Sequence, residues 1–101
     1  MIMRIWHGYT KPENADKYEQ MLKEEILPGI HRVKGYAGAY LLRRQNGKEV
    51  EFITATMWES WAAIQEFAGA DQTKSVIHPK AHALLTHCDE SSEHFDATWV
   101  A

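Results

Sequence analysis

The segment from residue 52 to residue 69 constrains the fold most, because it has the pattern of a buried strand that runs directly into a capped helix. Alternate residues of a strand point to opposite faces of a sheet, and here neither face carries a charge. One face has Phe52, Thr54, Thr56 and Trp58, and the other has Ile53, Ala55 and Met57. In a chain of 101 residues the predicted helices cover only one of these faces. We expect a second subunit to cover the other.

Composition indicates one domain over residues 1–101 with a single hydrophobic core. The formal net charge is −3 and the lysines and arginines are scattered, so neither nucleic acid nor a membrane surface is expected as a partner. No apolar run approaches the roughly 20 residues that cross a bilayer. Cys88 is the only cysteine and the first residues do not resemble a secretion signal, so we expect a cytoplasmic location.

Apolar periodicity and turn residues predict the element order β-α-β-β-α-β. Strand one covers residues 2–9, and a helix follows it, capped by Asn14 or Thr10 and interrupted at Pro28. Ser60 is expected to cap the second long helix. With right-handed crossovers, this order gives a ferredoxin-like α+β fold, in which helices cover one face of an antiparallel sheet.

Strands two and three are expected to pair as a hairpin around the Asn-Gly turn at residues 46–47, the strongest turn signal in the sequence. A two-residue turn there places Arg44 beside Glu49 and Leu41 beside Phe52. Near the other end of the chain, Pro79 suits the start of a short helix that includes Leu84 and Leu85. The alternation over residues 94–100 is typical of a last strand.

The apolar side chains on the sheet face away from the helices are expected to form the seam of a homodimer. They are Tyr36, Tyr40, Leu42, Ile53, Ala55 and Met57. The helix-facing side is expected to hold a cavity, because small hairpin residues leave space opposite strand three. Such a cavity suits a flat apolar molecule with one or two polar groups. The expected ligand contacts are Trp58, Phe52, Thr54, Ala39, Trp6 and Phe67.

Several short motifs extend over nearly the whole chain. They include Ile5-Trp6-His7-Gly8, Leu27-Pro28-Gly29, residues 35–44, Trp58-Glu59-Ser60, Phe67-Ala68-Gly69 and His94-Phe95. Together they resemble small proteins of the antibiotic biosynthesis monooxygenase-like superfamily. The resemblance implies the dimeric α+β barrel, in which two ferredoxin-like sheets pack face to face. The superfamily includes cofactor-independent monooxygenases that act on polycyclic phenols or quinols, and haem-degrading enzymes.

The resemblance also implies site residues. In both enzyme groups a tryptophan at the end of strand three lines a cavity, and Trp58 is similar to it. In the haem-degrading group a histidine after helix two ligates iron, and His78 is the nearest match, although the segment that precedes it is longer here. An asparagine on strand one completes that site, where this chain has Trp6 or His7.

The histidines are open to a plainer interpretation. His78 and His82 have a spacing that suits a metal on one helix face, but Pro79 puts His78 before the helix and no third ligand is evident. No metal is therefore expected. His7 is more typical of a hydrogen-bonded residue in a core or an interface, and Trp58 is as typical of a core residue as of a ligand contact.

The main functional hypothesis is a monooxygenase that acts on a phenolic or quinol-type aromatic compound without a cofactor. Trp58 is its aromatic wall and His78 or His7 is its base. The side chains of Trp58 and His78 are expected within about 10 Å of each other across one cavity. One alternative is a non-catalytic dimeric module that binds or senses a small molecule, and another is a haem-binding or haem-degrading protein.

Overall fold

A computed structural model describes residues 1–71 and 73–101 of the chain. The strands are β1 (Ile2–Thr10), β2 (Tyr36–Asn46), β3 (Glu49–Trp58), β4 (Leu85–Cys88) and β5 (Glu93–Asp96). The helices are α1 (Pro12–Met21), α2 (Leu27–Ile30), α3 (Trp61–Ala68) and α4 (Pro79–His82), with a π-helical segment, Leu22–Ile26, between α1 and α2. None of the described helices is long and apolar enough to cross a membrane.

The five strands form one antiparallel sheet. β3 lies between β2 and β1, and the far edge of β1 pairs with both β4 and β5. The helices pack on one face of this sheet. The predicted ferredoxin-like fold is therefore confirmed, with two short strands in the place of the single last strand.

The first helical region is continuous but contains a wider turn. Pro12 lies in its first turn, where the missing N–H breaks no helical hydrogen bond, and no side chain caps it. The predicted caps, Asn14 and Thr10, are therefore wrong. The π-helical segment Leu22–Ile26 ends two residues before Pro28, which cannot donate a backbone hydrogen bond. By contrast, the second long helix begins as predicted, since Ser60 caps α3 by accepting the N–H of its third residue.

The β2–β3 hairpin pairs in a register two residues away from the predicted one. Arg44 lies opposite Glu51 rather than Glu49. The two turn residues are Gly47 and Lys48. Only Gly47 has a positive φ, 64°, which is what the first central position of a type II′ hairpin turn requires. An even shift of register keeps every side chain on its predicted face of the sheet.

Tyr36 lies on the helix-facing side of the sheet, and its predicted place in the dimer seam is wrong. A β-bulge at Ala37 causes this, because Tyr36 pairs with Trp58 whereas Gly38 pairs with Met57. The Tyr36 and Trp58 rings meet edge to face with 5.3 Å between their centroids. The other predicted seam residues are on β2 beyond the bulge or on β3. They lie on the sheet face that has no helices, the open face.

The C-terminal region departs most from prediction. The helix predicted to include residue 85 ends at His82, and β4 follows it. The predicted strand over residues 94–100 ends at Asp96, and Trp99 beyond it is 88% exposed. In both places the chain pairs with the edge of β1 that faces away from β3. β4 pairs with one end of this edge and β5 with the other.

Two hydrophobic clusters occupy the helix-facing side. One contains Ala15, Tyr18, Leu22, Val50, Phe52 and Ala81. The other contains Ile2, Trp58, Ala63 and Ile64. Because Phe52 and Trp58 lie six residues apart on β3, the clusters are at opposite ends of the sheet.

Candidate functional site

A cavity of about 80 Å³ lies between the two clusters and opens to solvent. Its wall combines Tyr18 and Leu22 from the first cluster with Phe67, which packs on the second. The π-helical segment contributes Leu22 and Ile26. Besides the phenol of Tyr18, the polar side chains of the wall include those of Arg4, Thr54, Thr56, His78 and Ser92. An apolar wall with a few polar groups is the usual composition of a small-molecule site.

Arg4 is a buried cation in this wall, with 4% of its surface exposed. Its Nη1 is 2.9 Å from Nε2 of His94, and its Nη2 donates to the carbonyl oxygen of Lys74 at 2.9 Å. The guanidinium carbon lies 5.7 Å from the centre of the Phe67 ring. Burial lowers the pKa of Arg4, but an arginine side chain stays protonated near neutral pH.

The predicted contact Trp6 lines the cavity beside Arg4. Its Nε1 donates to the carbonyl oxygen of Asp89 at 2.8 Å. Gly8 makes room for the indole, since a Cβ at that position would lie 3.0 Å from the ring and 3.0 Å from Leu85. Strand alternation puts Arg4 and Trp6 on one face. The sequence therefore contained a signal for Arg4, since it lies two residues before Trp6 on the same strand, but Arg4 was not among the predicted site residues.

Trp58, the predicted aromatic wall, lies in the second cluster with no exposed surface and does not line the cavity. Its Nε1 donates to Oγ1 of Thr56 at 2.8 Å, and its ring stacks on Phe67 at 5.3 Å. Because the Thr56 oxygen accepts this bond, the hydroxyl hydrogen remains for another acceptor. Trp58 therefore influences the cavity through Thr56 and Phe67, both of which line it.

The other predicted ligand contacts divide between the wall and the core. Thr54 lines the cavity, whereas Phe52 has no exposed surface and packs edge-on against Tyr18 at 4.8 Å. Ala39 is outside the wall. The register shift explains this, because it places Leu41 opposite Thr54 in the position expected for Ala39.

His78 lines the cavity and is exposed to solvent. It also caps α4, because its Nδ1 accepts the backbone N–H of Lys80 at 3.1 Å. An imidazole whose Nδ1 accepts a hydrogen bond carries its proton on Nε2 when it is neutral. In this state Nε2 is a hydrogen-bond donor and not a base.

His7, the other predicted base, lies on the opposite face of the sheet from Trp6, as strand alternation requires. Its Nδ1 is 2.7 Å from Oδ2 of Asp89, and its backbone N–H donates to the same oxygen at 3.0 Å. It borders a shallow acidic depression with Tyr9 and Glu51. His7 is therefore separated from the cavity by the sheet.

Hydrogen-bond donors dominate the polar part of the cavity wall. Burial raises the pKa of the Tyr18 phenol far above its ordinary value, so this hydroxyl also stays protonated. Among the described residues that line the cavity, none is a carboxylate. Within residues 1–71 and 73–101, no group of three or more His, Cys, Asp or Glu side chains is placed to hold a metal ion. The site is therefore suited to a ligand with a hydrogen-bond acceptor or a negative charge.

The fold and this cavity define a small α+β protein with a cavity between sheet and helices. The family model described as antibiotic biosynthesis monooxygenase matches residues 1–78, and the chain belongs to that family. No curated protein matches the chain in sequence.

Solved structures share the fold over almost their whole length. The haem degrader MhuD from Mycobacterium tuberculosis, solved with two haems in its active site, has a TM-score of 0.66 at 21% identity, covering 100% of this chain and 99% of that one. A putative antibiotic biosynthesis monooxygenase from Bacillus cereus has 0.69 at 13%, covering 99% and 97%. A putative one from Deinococcus radiodurans has 0.66 at 14%, covering 100% and 96%. At these identities the likeness extends to the fold alone.

Proposed function

We propose that the chain is a small cytoplasmic, homodimeric enzyme that oxygenates a phenolic or quinol-type aromatic compound without a resident cofactor. The observation that supports this most is the composition of the cavity wall. The aromatic residues Trp6 and Phe67 line the same cavity as the hydrogen-bond donors Thr56 and His78. Membership of the antibiotic biosynthesis monooxygenase family supports the class of reaction. A lone free Cys88 is compatible with a reducing compartment.

In the proposed reaction the substrate supplies the electrons. An electron-rich phenolate reduces O₂ itself, so the protein mainly orients the ring, excludes water and stabilises the ring oxyanion. One oxygen atom bonds to a ring carbon and the other leaves as water, while the phenol loses two hydrogens and becomes a quinone. This balance needs no external reductant. Thr56 and His78 donate to the oxyanion in this scheme.

The size of the cavity limits the proposed substrate. The volume of about 80 Å³ is below the roughly 150 Å³ of an apolar cavity that accommodates benzene, so part of the wall must yield or the ligand must extend through the opening. The π-helical segment, Leu22–Ile26, forms part of this wall, and π-helical turns are frequent at functional sites. We therefore propose a single-ring substrate and not a polycyclic one.

Oxygen uptake tests the proposal. With a panel of single-ring phenols and hydroquinones, we expect O₂ consumption that matches quinone formation and that persists in a metal chelator. Thr56→Val should lower the rate by about tenfold or more, because one oxyanion donor is lost. Thr98→Val, an exposed threonine outside the wall, is the control. Uptake no faster than autoxidation in a protein-free blank, across the panel, would contradict the enzyme proposal.

A non-catalytic binding module is the second candidate. The positions of Trp58 and His7 favour it, since neither lines the cavity, and His78 carries its proton on Nε2 when Nδ1 serves as the helix cap. Saturable binding of a panel compound, without O₂ uptake, would support this alternative.

Haem would require the cavity wall to yield much further than a single aromatic ring does. Pockets for drug-sized ligands measure about 300–1,000 Å³, whereas this cavity measures about 80 Å³. We therefore expect a haem titration to produce no saturable shift of the Soret band. A shift that saturates at a fixed ratio of haem to protein, and that disappears in His78→Ala, would favour a haem protein instead.

The open face of the sheet supports the proposed homodimer. Tyr40 is 62% exposed, Leu42 48% and Phe95 52%, and all three stand on the face that lacks helices. Large apolar side chains that share an exposed face are typical of an interaction surface. A second copy of the same face would cover them with matching chemistry.

A further inference from the structure

We propose that the cavity binds its ligand as an anion, and that Arg4 is the residue that recognises the oxyanion of a single-ring aromatic compound. This inference rests on the proposed function, since it names the charge state in which the phenolic ligand is bound. It assigns a ligand contact to a residue that the sequence prediction does not include.

The position of Arg4 is the first support. It is almost fully buried and it lines the cavity, so its charge acts mainly on the small volume of the cavity and is little exposed to bulk water. The acceptors at His94 and at the Lys74 carbonyl are neutral groups that fix the plane of the guanidinium. Both contacts orient the cation, and neither of these two groups carries a negative charge. A planar guanidinium held in this way is well suited to an oxyanion.

The rest of the wall is the second support. Its remaining polar members are three hydroxyl groups, from Thr54, Thr56 and Ser92, together with the imidazole of His78 and the phenol of Tyr18. The described part of the wall includes no aspartate or glutamate. Apolar walls of low dielectric strengthen the field of a single cation. The interior should therefore favour a negative charge over a neutral group of the same shape.

The aromatic surfaces are the third support. Trp6 and Phe67 line the same cavity as Arg4, and the guanidinium lies 5.7 Å from the Phe67 ring centre. A ligand ring can contact these surfaces while its oxygen faces the guanidinium. An aliphatic acid would satisfy the cation but would use less of the aromatic wall. The combination favours an aromatic oxyanion.

A chromogenic phenol tests the inference without any turnover. We would titrate the wild-type protein with 4-nitrophenol and follow its yellow phenolate absorbance against pH, with 4-nitroanisole, its O-methyl ether, as the neutral probe. We expect the phenolate to bind at least about tenfold more tightly than the ether, which by linkage lowers the apparent pKa of the bound phenol by about one unit or more.

Variants separate charge from shape. Arg4→Gln should remove the preference for the phenolate and return the pKa of bound 4-nitrophenol to its value in water, while binding of the ether changes little. Arg4→Lys keeps a charge and should retain part of the preference. Arg32→Gln removes an exposed arginine and is the control. Circular dichroism and a thermal melt establish that each variant is folded.

The wild-type comparison decides the matter even if Arg4→Gln does not fold. Equal affinity for the two probes, a raised pKa of the bound phenol, or no binding of either probe would overturn the inference. A lowered pKa without O₂ uptake on any phenol would leave the anion site supported and the oxygenase proposal contradicted. Oxygen uptake with no preference for the phenolate would do the reverse.

Discussion

Thr10 and Thr56 are both buried strand threonines, but their hydroxyl groups differ in environment. Thr10 has no exposed surface, and its Oγ1 has no hydrogen-bond partner in the described part of the chain. Thr56 accepts the indole N–H of Trp58 at 2.8 Å. A buried hydroxyl without a hydrogen-bond partner destabilises the folded state. A hydroxyl that accepts from a buried N–H stabilises it, because without this acceptor the N–H would be buried and unpaired.

The pair gives opposite predictions for one substitution. Thr10→Val should raise the free energy of unfolding by about 1 kcal/mol, because it removes an unsatisfied polar atom at nearly constant volume. Thr56→Val should lower it by about 1–3 kcal/mol, because it leaves the Trp58 N–H buried without an acceptor. Urea denaturation of both variants measures this. Equal shifts of the same sign would contradict the assignment of the two hydroxyls.

His94 should make the fold sensitive to acid. Burial, and then the charge of Arg4, lower the pKa of His94 below its ordinary value of 6.5. Between that value and the lower pKa of the folded state, the unfolded chain takes up a proton that the folded chain does not. Stability from this group is therefore present above pH 6.5 and is lost as the pH falls towards the folded pKa.

The corresponding experiment compares urea midpoints at about pH 7.5 and about pH 5.5. The wild type should lose more stability between these values than His94→Gln, whose amide oxygen still accepts from Arg4 but does not titrate. His31→Gln, at an exposed histidine, is the control and should behave as the wild type does. An equal loss in His94→Gln would show that other groups cause the acid sensitivity.

At the scale of elements, periodicity predicted the strands and long helices well, because burial on one face of an element leaves a regular pattern in the sequence. The N-cap of α3 also followed from Ser60. The predicted hairpin register was wrong by two residues. The alternation of apolar and polar residues determines which face each side chain occupies, but it does not determine which residues of the two strands pair. The bulge at Ala37 left no periodic signal, and so Tyr36 was assigned to the wrong face.

The candidate site was less predictable than the fold. Trp6, Thr54, Phe67 and His78 lie in the cavity wall, because the sheet face and the order of elements follow from local pattern, whereas their roles toward a ligand stay predictions. Whether a large residue fills the core or lines a void depends on the tertiary packing of several elements, and this separated Trp58 from the cavity.

The contact between Gly35 and α3 is an element-level feature that can be tested. Gly35 has φ 92°, and a Cβ there would lie 2.7 Å from Cβ of Ala63. Gly35→Ala should therefore cost about 1–3 kcal/mol through backbone strain, in addition to the steric clash. Gly29→Ala is the matched control, because that glycine is helical with nothing within 4 Å of its added Cβ. It should be neutral or stabilising by up to about 1 kcal/mol.

At the scale of the whole molecule, the open sheet face has two chemically different halves. One is apolar and includes Tyr40, Leu42 and Phe95. The other is polar, with the His7 and Asp89 pair, a stack of Tyr9 on His87 at 4.1 Å and an ion pair between Arg44 and Glu51. The apolar half supplies the driving force of the proposed dimer, and the polar half restricts the orientation of the two copies.

The last prediction compares two adjacent residues of β3 that point to opposite faces. Met57 stands on the open face opposite Met3, whereas Trp58 is buried beneath α3. Met57→Asp should break the dimer, because a carboxylate in an apolar seam is costly, while Trp58→Ala should lower the free energy of unfolding by about 3–5 kcal/mol and leave the seam intact.

Light scattering after size exclusion measures the assembly. The wild type and folded Trp58→Ala should have about twice the chain mass of 11.6 kDa, and Met57→Asp should have the mass of one chain. The interface should bury more than roughly 2,000 Å² in total, the range of obligate dimers. Trp99→Ala, at an exposed residue beyond the sheet, is the control for losing an indole. A single-chain mass for the wild type at all concentrations would refute the dimer, and a dimeric Met57→Asp would place the seam on another surface.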